Sequence, residues 1–478
     1  MITSPAFRGK RYAVLGLARS GLATVEALVA SGAEVVAWDS NADARAKLLP
    51  LPIYGERAGE RGSPIITNTA PVEGDGPLSQ PSPHKWGEGL VSLADPLTIN
   101  LAGFDGVVVS PGVPINRHPI AEHARAANVP LIGDIELFAQ ARASLPPHKV
   151  IGITGTNGKS TTTALIHHIL QTADIPSLMG GNIGLPILGR DPLPAGGIYV
   201  LELSSYQIDL TFTLDCDVVA LTNITPDHLD RYENMAAYEM AKARLFWMQA
   251  ESHWHVYDSG EPGVCSLDDL IDNEHLRSFE WGLGVDKNEL RAFLPESLAG
   301  PHNLNNASLA INTVRAVLGY DYNAPVENLN RLLLSLKSYP GLPHRMEPVG
   351  ELNGVRFVND SKATNPDSAA PALAAYPAIH WILGGQAKTD ELDACVPYYS
   401  HVRAAYTSGD AGPMFAKLLT PHMPVTECVT LDVAVIKASA VAQLGDTVLL
   451  SPACASFDQF TDYEARGAAF RAAVEALS

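Results

Sequence analysis

Hydrophobic and polar positions along this chain repeat one theme: a short apolar run, a turn holding Gly or Pro, then an amphipathic stretch. Tyr12 to Gly16 predicts a strand, Leu17, Ala18, Arg19, Ser20 and Gly21 a turn into an apolar helix reaching about Ser31, and Glu34 to Trp38 a second strand ending in Asp39. Apolar runs bounded by turn residues read as buried strands, and their alternation with helical stretches predicts βαβ units and parallel sheets. Val107 to Ser110 gives another strand, and Ala121 to Ala127 a helix before Leu131, Ile132 and Gly133. The Pro-containing stretch Ser144 to His148 reads as a linker.

A second segment opens with the strand that begins at Val150 and runs into Gly155, Thr156, Asn157, Gly158, Lys159, Ser160 and Thr161. Ile198 to Leu203 and Asp217 to Thr222 are further strands, Ala236 to Gln249 a helix, and His302, Asn303, Asn305 and Asn306 open another helix. In the third segment the strands Arg356 to Asn359, His380 to Leu383 and Thr447 to Ser451 alternate with helical stretches. The expected fold is α/β in three domains: Rossmann-like over 1–146, a P-loop ATPase-type parallel sheet over 147–342, and Rossmann-like over 343–478. From Gly55 to Gly89 the chain is rich in Gly, Pro, Ser and Glu without either period, which predicts a mobile insertion in the first domain.

Composition agrees with this division. At 478 residues and 46% hydrophobic content the chain is long enough for about three ordinary domains. No apolar run reaches the ~18 residues of a membrane span, and Met1 to Lys10 lacks the apolar stretch of a signal peptide, so a cytoplasmic protein is expected. The five cysteines have no C-x-x-C spacing, which speaks against a zinc site or disulfide framework. A net charge of −19 leaves no basic footprint for nucleic acid. Cations beside glycine loops therefore become informative.

The loop from Gly152 to Ser160 carries the strongest chemical signal. Successive backbone N–H groups ahead of a helix N-terminus cradle phosphate; Lys159 would reach the β- and γ-phosphates and Ser160 a Mg²⁺ ion. Ile153 stands where the usual spacing has glycine. Ser160 and Glu202 would supply a hydroxyl and a carboxylate for the metal, with His228 as a further ligand or phosphate partner. His167 and His168 read as structural. Lys242 sits among Tyr238, Ala241, Ala243, Leu245 and Phe246; it is either a surface charge or a desolvated amine able to take up CO₂ as a carbamate, and spacing does not decide. In the first unit Asp39 follows Gly21 where a ribose-reading carboxylate belongs, but Ala18 replaces the middle glycine.

These residues resemble the ATP-dependent Mur ligases of peptidoglycan synthesis. The loop Gly155 to Thr161 is similar to their shared ATP signature. Other stretches are similar to the members that add D-glutamate: Gly133 to Phe138, Gly180 to Pro186, Leu201 to Gln207, Asp227 to Tyr232, Gly341 to Arg345, Asn359 to Asn365 and Leu450 to Phe460. The resemblance implies a ligase that uses ATP and Mg²⁺ to convert the carboxylate of UDP-MurNAc-L-alanine to an acyl phosphate, which the amine of D-glutamate attacks.

It also implies roles. Gly155, Thr156, Asn157, Gly158, Lys159, Ser160, Thr161, Asn303, Asn306, Arg345 and Asp360 would bind ATP. Ser160 and Glu202 would hold one Mg²⁺, His228 and Lys242 as a carbamate a second, and Lys159, His228 and Lys242 would be catalytic. Ala18, Arg19, Asp39, Ser40, Gly112 and Asn182 would hold the UDP-sugar; Lys362, Thr364, Lys388, Ser456 and Tyr463 would recognise D-glutamate. The stretch 55–89 looks inserted and Trp254 to Pro262 shortened against the family pattern. Two other classes remain: a nicotinamide-dependent oxidoreductase on Gly16 to Asp39, which leaves Lys159 unexplained, and a nucleotide switch, for which Lys362 and Lys388 are dispensable.

Overall fold

Consecutive Val, Ile and Leu residues between turn signals fold as the middle strands of three separate six-stranded sheets. The structure is a computed structural model and describes residues 1–48, 84–86, 89–227, 231–258, 277–278, 290–298, 300–320 and 326–477. The first sheet runs in the order His84–Trp86, Gly89–Leu93, Glu34–Trp38, Arg11–Leu15, Gly106–Val109, Leu131–Ile132, parallel except for its first pair. The second, wholly parallel, runs Arg277–Ser278, Trp254–Val256, Val218–Leu221, His148–Thr154, Gly197–Glu202, Ser177–Gly181. The third runs Glu347–Leu352, Val355–Asn359, Thr447–Leu450, Ile379–Gly384, Val402–Ser408, Val425–Glu427, with only the first pair antiparallel.

Every residue of Gly197–Glu202, Val218–Leu221 and Ile379–Gly384 is buried, as expected of parallel strands covered on both faces. The fold is therefore the expected α/β arrangement with N-terminal, central and C-terminal sheets. In the first sheet Arg11–Leu15 lies between Glu34–Trp38 and Gly106–Val109, and in the second His148–Thr154 lies between Val218–Leu221 and Gly197–Glu202. Flanking a strand on both sides in this way opens a crevice beyond its carboxyl end, where doubly wound sheets bind ligands.

The first two sheets share a core through the helix Asp134–Ala141: the Phe138 ring meets that of Tyr199 edge-on at 5.0 Å. At the chain start, Ile2 donates its backbone N–H to Leu188 O at 2.9 Å.

Two expectations change. His84–Trp86 and Gly89–Leu93 pair at the edge of the first sheet, so the stretch 55–89, expected without regular structure, ends in strand; residues 55–83 and 87–88 lie outside the described residues. Among the described residues, six further strands have no counterpart in the apolar pattern, Ser177–Gly181, Trp254–Val256, Arg277–Ser278, Glu347–Leu352, Val402–Ser408 and Val425–Glu427, which are short or interrupted by Gly, Pro or polar residues.

Candidate active site

The loop after His148–Thr154 is strapped from the side. Thr156 N donates to Asn223 O at 2.8 Å, Asn157 N to Asn223 Oδ1 at 3.0 Å, and Asn223 Nδ2 returns to Asn157 O at 3.1 Å. Gly158 has φ +84°, and a Cβ there would lie 2.3 Å from Asn306 Oδ1, so both conformation and space demand glycine. The helix Lys159–Thr172 begins with no side-chain cap, which leaves its first N–H groups for an anion. Ser160 is buried at its first turn.

Two lysines converge on this loop. Lys159 Nζ donates to Gly155 O at 2.8 Å and Thr156 O at 2.6 Å. Lys242 is fully buried on the helix Met235–Trp247, a helix capped by Asn234, whose side chain accepts from Ala237 N at 2.9 Å. Lys242 Nζ also donates to Gly155 O, at 2.8 Å, and stands 4.4 Å from the Tyr238 ring centroid. Tyr238 OH meets Thr156 Oγ1 at 3.1 Å. Burial first, and then the Lys159 charge, hold the Lys242 pKa well below the usual lysine value. The reading of Lys242 as a surface charge is thereby excluded. Burial also lowers Lys159, with Glu202 acting in the opposite direction.

Glu202 ends the strand Gly197–Glu202 and is buried. Its Oε1 accepts from Asn182 Nδ2 at 2.9 Å, while its buried Oε2 has no hydrogen-bond partner. An orphaned carboxylate oxygen near the Ser160 hydroxyl's helix is the donor chemistry that suits a hard cation. Among the described residues no three His, Cys, Asp or Glu side chains cluster as a metal site, and His228 lies outside them. Asp227, which opposes the lowering of both lysines, heads the stretch Asp227 to Tyr232 that the sequence marks out but carries no role of its own there.

A cleft of about 630 Å³ is lined by Asn157, Gly158, Thr161, Asn303, Asn306, Arg345 and Asp360, which brings together expected nucleotide residues from the second and third segments. Asn303 and Asn306 are buried, with Asn306 Nδ2 donating to Asn303 Oδ1 at 3.1 Å. His302, unassigned from sequence although it opens the same helix, also lines the cleft; burial lowers its pKa to about 4, and its Nδ1 has no partner. Arg345 Nη2 donates to Ser160 Oγ at 2.8 Å. Asp360 Oδ2 accepts from Ser451 Oγ at 2.9 Å and Oδ1 from Met346 N at 3.2 Å; burial pushes its carboxyl up to about 7.

A larger cleft of about 1200 Å³ takes walls from all three sheets: Arg19 from the first, Ser160 and Asn182 from the second, Arg345, Lys362 and Tyr463 from the third. Lys362 Nζ lies 3.9 Å from the Tyr463 ring centroid, and burial, followed by Arg345, lowers it to about 8. Thr364, exposed Lys388 and buried Ser456 are outside that lining. The loops of the last two are nevertheless tied, since Gln386 and Ala455 exchange backbone hydrogen bonds at 2.9 and 3.0 Å.

In the first sheet both Asp39 oxygens already accept backbone N–H groups, Oδ2 from Leu17 at 2.7 Å and Oδ1 from Asn41 at 2.8 Å. Asp39 thus shapes the turn around Ala18, which caps the helix Arg19–Ala30 without a side-chain hydrogen bond. A Cβ on Gly21 would fall 1.8 Å from Gly16 O, so glycine there permits helix and loop to touch. Ser40 and Gly112 are exposed beside this turn and the strand Gly106–Val109, respectively.

Residues 153–293 match the Mur ligase middle domain and 344–454 the glutamate ligase domain of Mur ligases. A protein of Novosphingobium aromaticivorans is 55% identical over 478 residues, covering all of this chain and 97% of that protein. One from Zymomonas mobilis is 50% identical over 486 residues and both whole lengths. Both bear the name UDP-N-acetylmuramoylalanine--D-glutamate ligase. The crystal structure of the UDP-N-acetylmuramate-alanine ligase MurC from Thermotoga maritima superposes with a TM-score of 0.55 at 15% identity, covering 98% of this chain and 100% of that one, a likeness of fold. With matches to two Mur ligase domains and full-length relatives at such identity, the chain belongs to the Mur ligase family, among its D-glutamate ligases.

Proposed function

We propose that this chain joins D-glutamate to the L-alanyl carboxylate of UDP-MurNAc-L-alanine at the cost of ATP, releasing ADP and phosphate. The observation that carries the reading is the cleft where Arg19, Asn182, Ser160 and Lys362 meet, because it gives a UDP-sugar, a triphosphate and an amino acid one shared volume. The names of the full-length relatives support the same reaction. We take the three domains as 1–146, 147–342 and 343–478, each built on one sheet.

In this reading the uncapped helix at Lys159 and the N–H groups of Gly155 to Gly158 receive the β- and γ-phosphates, and Lys159 turns from the loop carbonyls to the γ-phosphate. Asn303 and Asn306 face the adenine, and Arg345 and Asp360 close on the nucleotide from the third domain. Ala18, Arg19, Asp39, Ser40 and Gly112 hold the uridine diphosphate, and Asn182 the sugar-peptide end. The substrate carboxylate oxygen attacks the γ-phosphorus, ADP leaves, and an acyl phosphate remains. The amine of D-glutamate, placed by Lys362, Thr364, Lys388, Ser456 and Tyr463, attacks the acyl carbon, loses a proton, and phosphate departs from the tetrahedral intermediate. Ser160 and Glu202 would hold one Mg²⁺, and His228 with carbamylated Lys242 a second. Magnesium supplies charge neutralisation at the transferred phosphoryl group. Among the described residues no helix is long and apolar enough to cross a membrane, and we place the reaction in the cytoplasm, where nucleotide substrates are made.

The test is phosphate release by purified protein given UDP-MurNAc-L-alanine, ATP and Mg²⁺ with L-alanine, D-glutamate or a diamino acid. Only D-glutamate is expected to give release, with the dipeptidyl product seen by mass. No release above background with D-glutamate, or equal release with a diamino acid, overturns the reading.

A further inference from the structure

Arg466, on the helix Tyr463–Glu475, is 3% exposed, and its guanidinium reaches three loops at once. Nε donates to Ser361 Oγ at 3.0 Å and Nη2 to Ser361 O at 2.8 Å. Nη2 also donates to Cys454 O at 2.9 Å, and Nη1 to Ala455 O at 3.2 Å and Gly384 O at 3.5 Å. Each loop follows the carboxyl end of a central strand of the third sheet: Val355–Asn359, Thr447–Leu450 and Ile379–Gly384. Ser361 Oγ in turn donates to Tyr463 O at 2.8 Å, which ties the start of the same helix to the first loop.

The residues borne by these loops are those assigned above to the amino acid. Lys362 directly follows Ser361 and Thr364 lies three residues beyond it, Ser456 directly follows Ala455, Lys388 lies four residues beyond Gly384, and Tyr463 heads the helix that carries Arg466. One buried cation is therefore the common anchor of all five. Its partners are carbonyls and a hydroxyl, and among the described residues it forms no ion pair. Packing alone would be met as well by apolar side chains, which carry no desolvation cost. What apolar side chains cannot do is bind loop carbonyls in a planar fork and set a positive charge beneath a pocket for a dicarboxylate.

We propose that Arg466 is a positioning residue of the amino-acid subsite: it holds three loops in register and keeps a fixed positive charge under the D-glutamate carboxylates. The inference rests on the D-glutamate reading above. Burial lowers the guanidinium to about 10, so the charge persists at neutral pH.

The experiment is steady-state kinetics of Arg466→Lys, with acyl phosphate formation measured separately by hydroxylamine trapping without D-glutamate. Expected is a rise of about tenfold or more in KM for D-glutamate, with KM for ATP and UDP-MurNAc-L-alanine within about twofold and trapping at the wild-type rate, as when an interaction with one substrate alone is lost. Ser361→Ala removes the Nε acceptor and the bond to Tyr463 O but leaves the other four guanidinium contacts, and should move the same KM in the same direction by a smaller factor. It decides the matter if Arg466→Lys does not fold. An unchanged KM for D-glutamate in a folded variant, or a parallel loss in all three KM values and in trapping, overturns the proposal. Wild-type protein that ignores D-glutamate would instead overturn the reading beneath it.

Discussion

Lys159 and Lys242 lie on different helices, yet each points its Nζ at the same acceptor, Gly155 O, at 2.8 Å. Two ammonium groups on one carbonyl repel, and Lys242, the more deeply buried, yields: burial and then the Lys159 charge push it towards the neutral amine. A neutral amine is the form that adds CO₂, and the carbamate replaces repulsion by attraction to Lys159. Lys242→Ala is therefore expected to lose about 10²–10³ in kcat, the scale of a lost electrostatic group at a transition state. Formate or acetate should restore part of it. Labelling with ¹³C-bicarbonate should give a carbamate resonance in wild type that Lys242→Ala lacks. Absence of both rescue and resonance would refute the carbamate.

Arg345 reaches from the third domain to the first turn of the phosphate-loop helix, donating to Ser160 Oγ at 2.8 Å. It also lines both clefts, so it lies where the proposed nucleotide and amino-acid subsites adjoin. Arg345→Ala should lower kcat/KM for ATP by about 10²–10³, and Arg345→Lys should recover only part, since an ammonium lacks the guanidinium fork. Steady-state phosphate release checks this, with the melting temperature confirming that the fold persists. A loss of less than about threefold for Arg345→Ala would remove it from the nucleotide site.

The lowered pKa of Lys362 sets a pH limit. With the group near 8 in the free protein, the cation proposed to meet a D-glutamate carboxylate is present below that value and titrates away above it. kcat/KM for D-glutamate should fall as pH rises through about 8, while kcat/KM for ATP at saturating D-glutamate stays level. Lys362→Arg, whose charge persists, should carry a lower plateau to higher pH. A wild-type profile for D-glutamate that stays flat to pH 9 would separate Lys362 from carboxylate recognition.

Local patterning made much of this molecule legible, and tertiary pairing did not. The strand Glu34–Trp38 and the central strands of the third sheet follow from apolar runs flanked by turns, because both faces of a parallel sheet are buried. Edge strands such as Glu347–Leu352, with Pro348 and Gly350 inside, lack that signal, since an edge tolerates what a central strand cannot. The strand, glycine turn and helix around Gly155 to Ser160 were readable because they are contiguous. The contact of Arg345 with Ser160 spans 185 residues, and the fork of Arg466 links loops up to 105 residues away. Such pairs are set by how sheets pack, which no local period encodes. The burial of Lys242 lies between these cases: its apolar neighbours were visible, but its direction towards Gly155 O was not.

Glu136 shows how the first two domains are held, and it yields the last prediction. It sits in the helix Asp134–Ala141, 2% exposed, and its carboxylate collects four donors. Oε2 accepts from Phe212 N at 2.7 Å and Thr213 N at 2.9 Å; Oε1 accepts from Thr213 Oγ1 at 2.8 Å and Gln140 Nε2 at 3.0 Å. Three of those donors lie in the second domain, so the carboxylate is a clamp across the Ser144 to His148 linker. Glu136→Gln keeps the shape but turns one acceptor into an N–H facing other donors. The cost should be about 2–4 kcal/mol, since hydrogen bonds to a charged group contribute about 1.5–3 kcal/mol and a buried amide without an acceptor adds to the loss. Urea unfolding should show an earlier midpoint, and limited proteolysis should cut the linker faster. Because Glu136 touches neither cleft, kcat for the remaining folded protein should stay within about twofold of wild type. A midpoint and cleavage rate equal to wild type would mean that the apolar contact of Phe138 with Tyr199 holds the two domains without it.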